Sequence, residues 1–263
     1  MPEPMLRAAF TGLAVILAMA FVTWLVSLAR RDVSVVDSLW SIFITTGGVV
    51  YATLLPASGP RPVLMLALAV VWALRLSIYI SWRNHGQPED RRYQQMRERN
   101  QPNFELKSLY LIFGLQAVLA WIVSAPFLAG FSGSNPLNAL DLVGAALAAS
   151  GIVFEATADQ QMARFKADAA NKGQVMDRGL WRFTRHPNYF GECCTWWGLG
   201  LIAVAAGGAW WCLVSPLLMT TLLLKVSGVT LLEADIGERR PAYRDYIART
   251  NAFVPGRPKK AAA

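Results

Sequence analysis

Long apolar blocks separated by shorter polar segments are the main pattern along this chain of 263 residues. Each block is close to the roughly 20 residues that an α-helix needs to cross the hydrocarbon core of a bilayer. The pattern predicts an all-α integral membrane protein, a bundle of about seven transmembrane helices in a single multi-pass domain over residues 1–263. The predicted spans cover residues 8–29, 35–55, 62–82, 108–130, 138–157, 188–207 and 209–230.

The first apolar block follows only one early basic residue, Arg7, and is too long for a cleaved signal peptide. A small-residue cleavage site does not stand out before Arg30 and Arg31, so we interpret the block as a helix that is retained.

Composition and charge add an orientation to this pattern. Hydrophobic residues make up 54% of the chain and charged residues 16%, which is too apolar for a soluble domain. The net charge of +8 could indicate a nucleic-acid partner, but the basic residues are concentrated in alternate connections. If Arg30 and Arg31 lie in the cytoplasm, the positive-inside rule places the N-terminus outside and the C-terminus in the cytoplasm. We therefore attribute the basicity to topology and to attraction by membrane lipids, and expect no nucleic-acid binding.

A polar and aromatic cluster at residues 180–198 opens the sixth span. Polar groups at a membrane boundary cost free energy unless they bind something, so the cluster indicates a site. Arg182 and Arg185 can form forked hydrogen bonds with phosphate oxygens. Asn188 can donate and accept, as recognition of a carboxamide requires, and Glu192 lies one turn deeper. These groups suit a large anionic cofactor that carries a polar ring.

Anchoring at the membrane interface is the alternative explanation of this cluster. Arginine and histidine would then lie among the headgroups, and Tyr189, Trp196 and Trp197 would form part of an aromatic belt. Anchoring accounts for the aromatic residues but not for Glu192 or Asn188.

In residues 151–173 an apolar block is followed by a polar stretch, and this pattern predicts a span whose helix continues into the cytoplasm. Glu155 and Asp159 are four residues apart and share a helix face. They could form ion pairs with Arg164 or Lys166, or hold the hydroxyls of a cofactor. With two histidines and three cysteines in the chain, the candidates for metal ligands are few, and we expect no metal site.

Several stretches resemble the steroid 5α-reductase superfamily. They are Gly179-Leu-Trp-Arg-Phe-Thr-Arg-His-Pro-Asn-Tyr-Phe-Gly-Glu192, Trp196-Trp-Gly198, the ending with Tyr243, Tyr246 and Phe253-Val-Pro255, and, in the N-terminal half, Asp32–Trp40, Trp72-Ala-Leu-Arg-Leu76 and Glu89-Asp-Arg-Arg-Tyr93. The similarity is greatest to the uncharacterised bacterial branch, which is 3-oxo-5α-steroid 4-dehydrogenase C-terminal-like. The Arg-His-Pro motif also occurs in sterol C14-reductases, which use NADPH, and in isoprenylcysteine carboxyl methyltransferases, which use S-adenosylmethionine.

The resemblance implies a substrate half over about residues 1–130 and a cofactor-binding half over about 138–263, with NADPH bound from the cytoplasmic side. Asn188 and Glu192 would lie at the nicotinamide end, and Asp159 at the sugar-phosphate portion. The full expected cofactor-binding set is Glu155, Asp159, Arg164, Lys166, Arg182, Arg185, His186, Asn188, Tyr189, Glu192, Glu233, Tyr243 and Tyr246.

The chain departs from the superfamily at the substrate end. The steroid enzymes pair a Gln-Glu dipeptide with a tyrosine to hold the substrate ketone, and residues 30–60 contain no Gln-Glu here. The candidate catalytic residues are therefore Asp37, Tyr79 and Glu192. Asp37 could orient the substrate or act in catalysis, because acids inside spans are usually functional. It could equally form a structural salt bridge with Arg75.

These observations predict an NADPH-dependent oxidoreductase that reduces an activated carbon–carbon double bond in a lipid-soluble, steroid-like substrate. The alternative is an S-adenosylmethionine-dependent methyltransferase of the isoprenylcysteine carboxyl methyltransferase type. A transporter or structural membrane protein is a third hypothesis, disfavoured because the polar cluster lies at one interface. We expect the chain to lie in a bacterial inner membrane. The sequence does not determine whether the protein is a monomer or an oligomer.

Overall fold

A computed structural model describes residues 2–207, 210–226, 228–233 and 236–259. Within these ranges every regular element is a helix, which confirms the prediction of an all-α, multi-pass membrane protein. The helices are α1 (Glu3–Arg30), α2 (Val35–Leu54), α3 (Pro60–Asn84), α4 (Arg91–Arg99), α5 (Phe104–Ser132), α6 (Ala139–Ala167), α7 (Pro187–Ala205), α8 (Trp210–Val226), α9 (Val229–Glu233), α10 (Ile236–Arg239) and α11 (Tyr243–Arg249).

Five of these helices, α1, α2, α3, α5 and α6, are long and apolar enough to cross a membrane. The other two predicted spans are less regular. The sixth corresponds to the 19-residue α7, which carries polar residues in its first turns. The seventh corresponds to α8, which begins with a 3₁₀ turn and ends with a π-helical turn. The described chain therefore has five helices that are long and apolar enough to span a membrane, α7, which is long enough but less apolar, and α8, which is apolar but shorter.

The first compact unit comprises residues 1–141 and 201–215. Small residues allow its helices to approach closely, as in other membrane bundles. A side chain on Gly12 would collide with the ring of Tyr51, and one on Gly47 would collide with Ser124. Tyr51 and Ser124 are hydrogen-bonded to each other at 2.9 Å between their hydroxyl oxygens. Bulky apolar side chains on the outer surface, such as Phe10, are exposed where lipid would contact them.

The connections of this unit meet at its two opposite ends. At one end Arg61, which starts α3, forms a buried ion pair with Asp141 at 2.7 Å and donates to the carbonyl of Asn135. At the other end the segment before α4 packs on the turn between α1 and α2, where Glu89 accepts a hydrogen bond from the Val33 amide at 2.9 Å. Successive connections thus alternate between ends, as required of helices that cross a bilayer in turn.

The second compact unit comprises residues 142–200 and 216–263. It contains most of α6 and α7, the end of α8 and the C-terminal segment with α9, α10 and α11. Helix α6 continues to Ala167, ten residues beyond the predicted span, as the polar extension of that span indicated.

Candidate functional site

Glycine residues bring α6 and α7 into backbone contact. A Cβ atom on Gly191 would lie 2.7 Å from the amide nitrogen of Glu155 and 2.7 Å from the carbonyl oxygen of Gly151. Two turns further along α7, Gly198 lies against the carbonyl of Gly144 on α6. Because no side chain separates the helices, groups that flank these glycines on the two helices are held close together.

Three carboxylates are buried around this crossing. Glu155 and Asp159 on α6 are 2% and 5% exposed, and Glu192 on α7 is 6% exposed. Buried acids in membrane helices are costly, so they mark a functional site unless their cost is offset structurally. The structure therefore buries the two acids predicted on the fifth span and the acid predicted on the sixth.

The segment that leads into α7 is anchored on α6. Trp181 is buried and its indole nitrogen donates to the carbonyl of Ala158 at 3.0 Å. The side-chain oxygen of Gln161 accepts from the Leu180 amide at 2.9 Å. Gly179 adopts φ +57°, a left-handed conformation that glycine adopts without strain, and a side chain there would collide with Gln161. The position of the α7 entrance is thus set by packing on α6.

Arg185 is buried, and its guanidinium is occupied by the C-terminal segment. Its Nε and Nη2 atoms donate to the two oxygens of Glu233, both at 2.7 Å. Its Nη1 atom donates to the backbone carbonyls of Ile247 and Thr250. Each nitrogen of the side chain therefore already has a partner. The geometry gives Arg185 a structural bond to the C-terminal segment, where the sequence suggested a forked bond to phosphate.

His186 completes a hydrogen-bonded cluster with Glu233 and Arg185. Its Nε2 atom lies 2.8 Å from Oε1 of Glu233, and its ring stacks on the Tyr189 ring at 5.4 Å between centroids. Burial alone would raise the pKa of Glu233, but hydrogen bonds from His186 and Arg185, with the positive charge of Arg185, lower that pKa to about 2. Glu233 is therefore a carboxylate at neutral pH and holds both basic residues at the entrance of α7.

Tyr243 and Tyr246, three residues apart, lie on one face of α11. Their rings meet edge to face at 5.1 Å. The Tyr246 hydroxyl donates to the carbonyl of Trp181, which links α11 to the α7 entrance. Burial, with the nearby charge of Glu233, raises the pKa of Tyr243 to about 12, and burial also raises the pKa of Tyr246. Both phenols are therefore neutral at physiological pH.

The remaining predicted cofactor residues lie at the rim. Asn188 is half-buried in the first turn of α7. Arg164 and Lys166 are exposed on the last turns of α6, and Arg182 is exposed on the segment before α7. Arg164, Lys166 and Arg182 are thus exposed to solvent, whereas Arg185 is buried and occupied by its own chain.

Asp37 lies in the first turn of α2, in the first unit, and is bound by α4. One carboxylate oxygen accepts a hydrogen bond from the Tyr93 hydroxyl at 2.5 Å, and the other accepts from Arg92 at 2.8 Å. Gln116 also donates to the Tyr93 hydroxyl at 3.3 Å. Burial and the charge of Asp37 raise the pKa of Tyr93. The stretch Glu89-Asp-Arg-Arg-Tyr93 contributes to the family resemblance, but the sequence pattern assigned no role to Arg92 or Tyr93.

Tyr79, the predicted catalytic tyrosine, lies on the last turns of α3. Its ring packs on Trp82 at 6.1 Å, and the Arg83 guanidinium lies 5.9 Å from its centroid. These neighbours are three and four residues along the same helix face. Tyr79 is thus in a local aromatic and cationic stack, while Tyr93 is the tyrosine hydrogen-bonded to Asp37.

Comparison with known proteins gives the family. A family model described as a protein of unknown function, DUF1295, matches residues 23–250. The chain belongs to this family. DUF1295 contains steroid 5α-reductase-like proteins, in line with the resemblance in the sequence. The chain is also 26% identical to an uncharacterised protein of Schizosaccharomyces pombe, in an alignment that covers 93% of this chain and 78% of that protein. No solved structure matches it.

In this DUF1295 protein eight of the thirteen predicted cofactor residues form two layers within the second unit. The buried layer is Glu155, Asp159 and Glu192 at the α6–α7 crossing. The second layer is the Arg185–His186–Glu233 cluster with the two tyrosines of α11, which fixes the α7 entrance. The matched range includes every one of these residues.

Proposed function

We propose that the protein is an NADPH-dependent membrane reductase of an activated carbon–carbon double bond, enone or enoyl in type, in a lipid or steroid-like substrate. The observation that carries the proposal is the set of three buried carboxylates at the α6–α7 crossing, next to a polar helix entrance. Membership of a family that contains steroid 5α-reductase-like proteins supports the same chemistry.

The residues of the second unit fit the polar groups of NADPH. Glu155 and Asp159 can accept hydrogen bonds from ribose hydroxyls, and Asn188 can both donate to and accept from a carboxamide. Arg182 is exposed and can approach a phosphate. In this proposal Arg185 and His186 hold the entrance of α7 in place, because Glu233 and backbone carbonyls occupy them. Bound NADPH would supply the hydride, and the chain would orient the cofactor and exclude water.

Asp37 and Tyr79 stay our candidates for the substrate end, and Tyr93 joins them. Asp37 already accepts two hydrogen bonds, so we expect it to position the Tyr93 hydroxyl rather than to exchange protons itself. Glu192 is the candidate catalytic acid of the second unit. We further propose that the cofactor site faces the cytoplasm of a bacterial inner membrane, as the distribution of basic residues predicts.

The methyltransferase alternative has one observation in its favour. S-adenosylmethionine carries a sulfonium cation. Three buried carboxylates could attract this cation, just as they could accept hydrogen bonds from the hydroxyl groups of NADPH. S-adenosylmethionine lacks phosphate groups, however, so the exposed cations around Arg182 would have no role in binding this ligand. The two hypotheses therefore differ in the ligand that stabilises the folded protein.

Thermal unfolding of the detergent-purified protein tests the proposal. A ligand that binds only the folded state raises the free energy of unfolding, by about 2.7 kcal/mol when its concentration is one hundred times Kd. The melting temperature therefore rises with the concentration of the ligand. We expect stabilisation by NADPH and none by S-adenosylmethionine. Stabilisation by S-adenosylmethionine alone would replace the reductase by the methyltransferase, and no shift with either would overturn both.

A variant at the carboxylate layer tests the site. Asp159→Asn keeps the size of the side chain and removes its charge. We expect it to weaken NADPH binding roughly tenfold, the cost of about one charge-assisted hydrogen bond. Asp245→Asn, on the exposed surface of α11, is the matched control and should bind NADPH like the wild type. Equal affinities in the two variants would remove Asp159 from the site.

A further inference from the structure

A cationic cavity of about 510 Å³ lies in the second unit between the segment before α7 and the C-terminal segment. Its lining residues include Arg178, Arg182, Arg249, Lys259 and one acid, Asp177. The cavity has the size of a small-molecule site. None of these residues belongs to the carboxylate layer or to the Arg185–His186–Glu233 cluster.

The charges of the cavity do not cancel. Arg249 forms an ion pair with Asp177 at 2.6 Å, which neutralises the only acid among the lining residues. Within the part of the chain that the structure describes, Arg178, Arg182 and Lys259 form no ion pair. Three positive charges around one cavity repel each other, and an anion that enters the cavity removes this repulsion.

The walls that carry these cations are held in place by hydrogen bonds. The Lys259 amide donates to the Arg249 carbonyl at 2.8 Å, and the Gly256 amide donates to the Phe183 carbonyl at 2.9 Å. On the opposite wall, Leu180 is bound to Gln161 and Trp181 to Ala158, both on α6. The backbone positions from which Arg182 and Lys259 extend are thus set before any ligand binds, which lowers the entropic cost of binding.

We propose that this cavity is a binding site for a phosphate-bearing ligand, with Arg178, Arg182 and Lys259 as its ligand-contacting residues. Arginine side chains match the oxygens of a phosphate in a forked arrangement, and lysine adds a point charge. The phosphate belongs either to a soluble molecule, such as a nucleotide, or to the headgroup of an anionic phospholipid. Arg182 is shared with the proposed NADPH site, so the two proposals overlap at this residue, whereas Arg178 and Lys259 belong to the cavity alone. The walls and charges of the cavity exist whichever reaction the carboxylate layer serves.

Direct binding of inorganic pyrophosphate to the purified full-length protein, measured by calorimetry, tests the soluble source. We expect saturable binding that weakens as salt is added. Arg182→Ala and Lys259→Ala should each weaken it roughly tenfold, since each removes one hydrogen bond to a charged group. Both side chains are exposed, so neither change should affect folding. Arg257→Ala removes an exposed cation two residues from Lys259 that does not line the cavity, and it should bind like the wild type.

Lipid nanodiscs distinguish the second source. If the phosphate is a headgroup, phosphatidylglycerol discs should raise the melting temperature above that in phosphatidylcholine discs, and the double variant Arg182→Ala, Lys259→Ala should lose this difference. An effect in either experiment, pyrophosphate binding or stabilisation by phosphatidylglycerol, that depends on Arg182 and Lys259 supports the site and identifies the source of the phosphate. Absence of both effects in the wild type overturns the proposal, as does an equal loss in Arg257→Ala, which would indicate only general surface attraction.

Discussion

At the scale of single residues, the clearest result concerns Arg185 and Glu233. A forked arginine beside a helix N-terminus suggests anion binding, yet the fork of Arg185 is closed by a carboxylate of its own chain. Both side chains are largely removed from solvent, with 9% and 15% of their surfaces exposed. Loss of one partner of such a pair leaves a buried charge uncompensated, which typically costs about 3 kcal/mol or more.

We therefore predict that Glu233→Gln destabilises the protein in a pH-dependent way. The pKa of Glu233 falls from its ordinary 4.5 to about 2 in the folded state. Its contribution to the free energy of unfolding, on the order of 2 to 3 kcal/mol, is present above about pH 5 and is lost as the pH falls towards 2. At pH 7 the variant should melt roughly 5 to 10 °C below the wild type.

The pH dependence separates this ion pair from a general packing effect. The difference in melting temperature between wild type and Glu233→Gln should narrow as the pH is lowered from 6 to 3. Glu238→Gln, an exposed change on α10, is the control and should follow the wild type at every pH. A gap that stays constant across this range would contradict the low pKa of Glu233.

At the scale of elements, the crossing of α6 and α7 depends on the absence of side chains. A Cβ on Gly191 would meet backbone atoms of α6 that cannot rotate away. We predict that Gly191→Ala forces the helices apart and costs about 1 to 3 kcal/mol of stability, as overpacking of a tight core does. Since Glu155 flanks this contact, NADPH affinity should fall as well. Thermal unfolding and ligand titration measure the two effects.

Gly207→Ala provides the comparison for this crossing. An added Cβ at Gly207 meets no atom within 4 Å, so the same chemical change should leave both stability and ligand affinity near the wild-type values. A Gly191→Ala variant with wild-type stability would show that α6 and α7 can adjust without cost, and the close-packing argument would be wrong.

The elements also show how far sequence patterns extend. Apolar blocks predicted the long helices closely, as for residues 35–55 against α2, Val35–Leu54, because length and hydrophobicity decide whether a helix can span a bilayer. The pairing of Arg185 with Glu233 was not foreseen, since the partners are 48 residues apart and local spacing carries no information on such contacts. The shared helix face of Glu155 and Asp159 was predicted from their spacing, but the sequence carries no information on the crossing of α6 and α7 near which they and Glu192 are buried.

At the scale of the whole molecule, the distribution of basic residues predicts an orientation that can be measured. The first unit has connections that alternate between its ends, and the basic ones lie at the end with Arg31 and α4. Because basic connections stay in the cytoplasm, the connection at residues 55–59 should face outwards, and the connection at residues 168–186 should face the cytoplasm.

Single cysteines at exposed positions report this orientation. In a background with Cys193, Cys194 and Cys212 replaced by serine, Ser58→Cys should react with a membrane-impermeant maleimide in intact spheroplasts. Lys172→Cys, equally exposed, should react only after the membrane is permeabilised. The opposite pattern would place the carboxylate layer and the cationic cavity on the outer side, where NADPH is absent, and would thus argue against the reductase even if the purified protein bound NADPH.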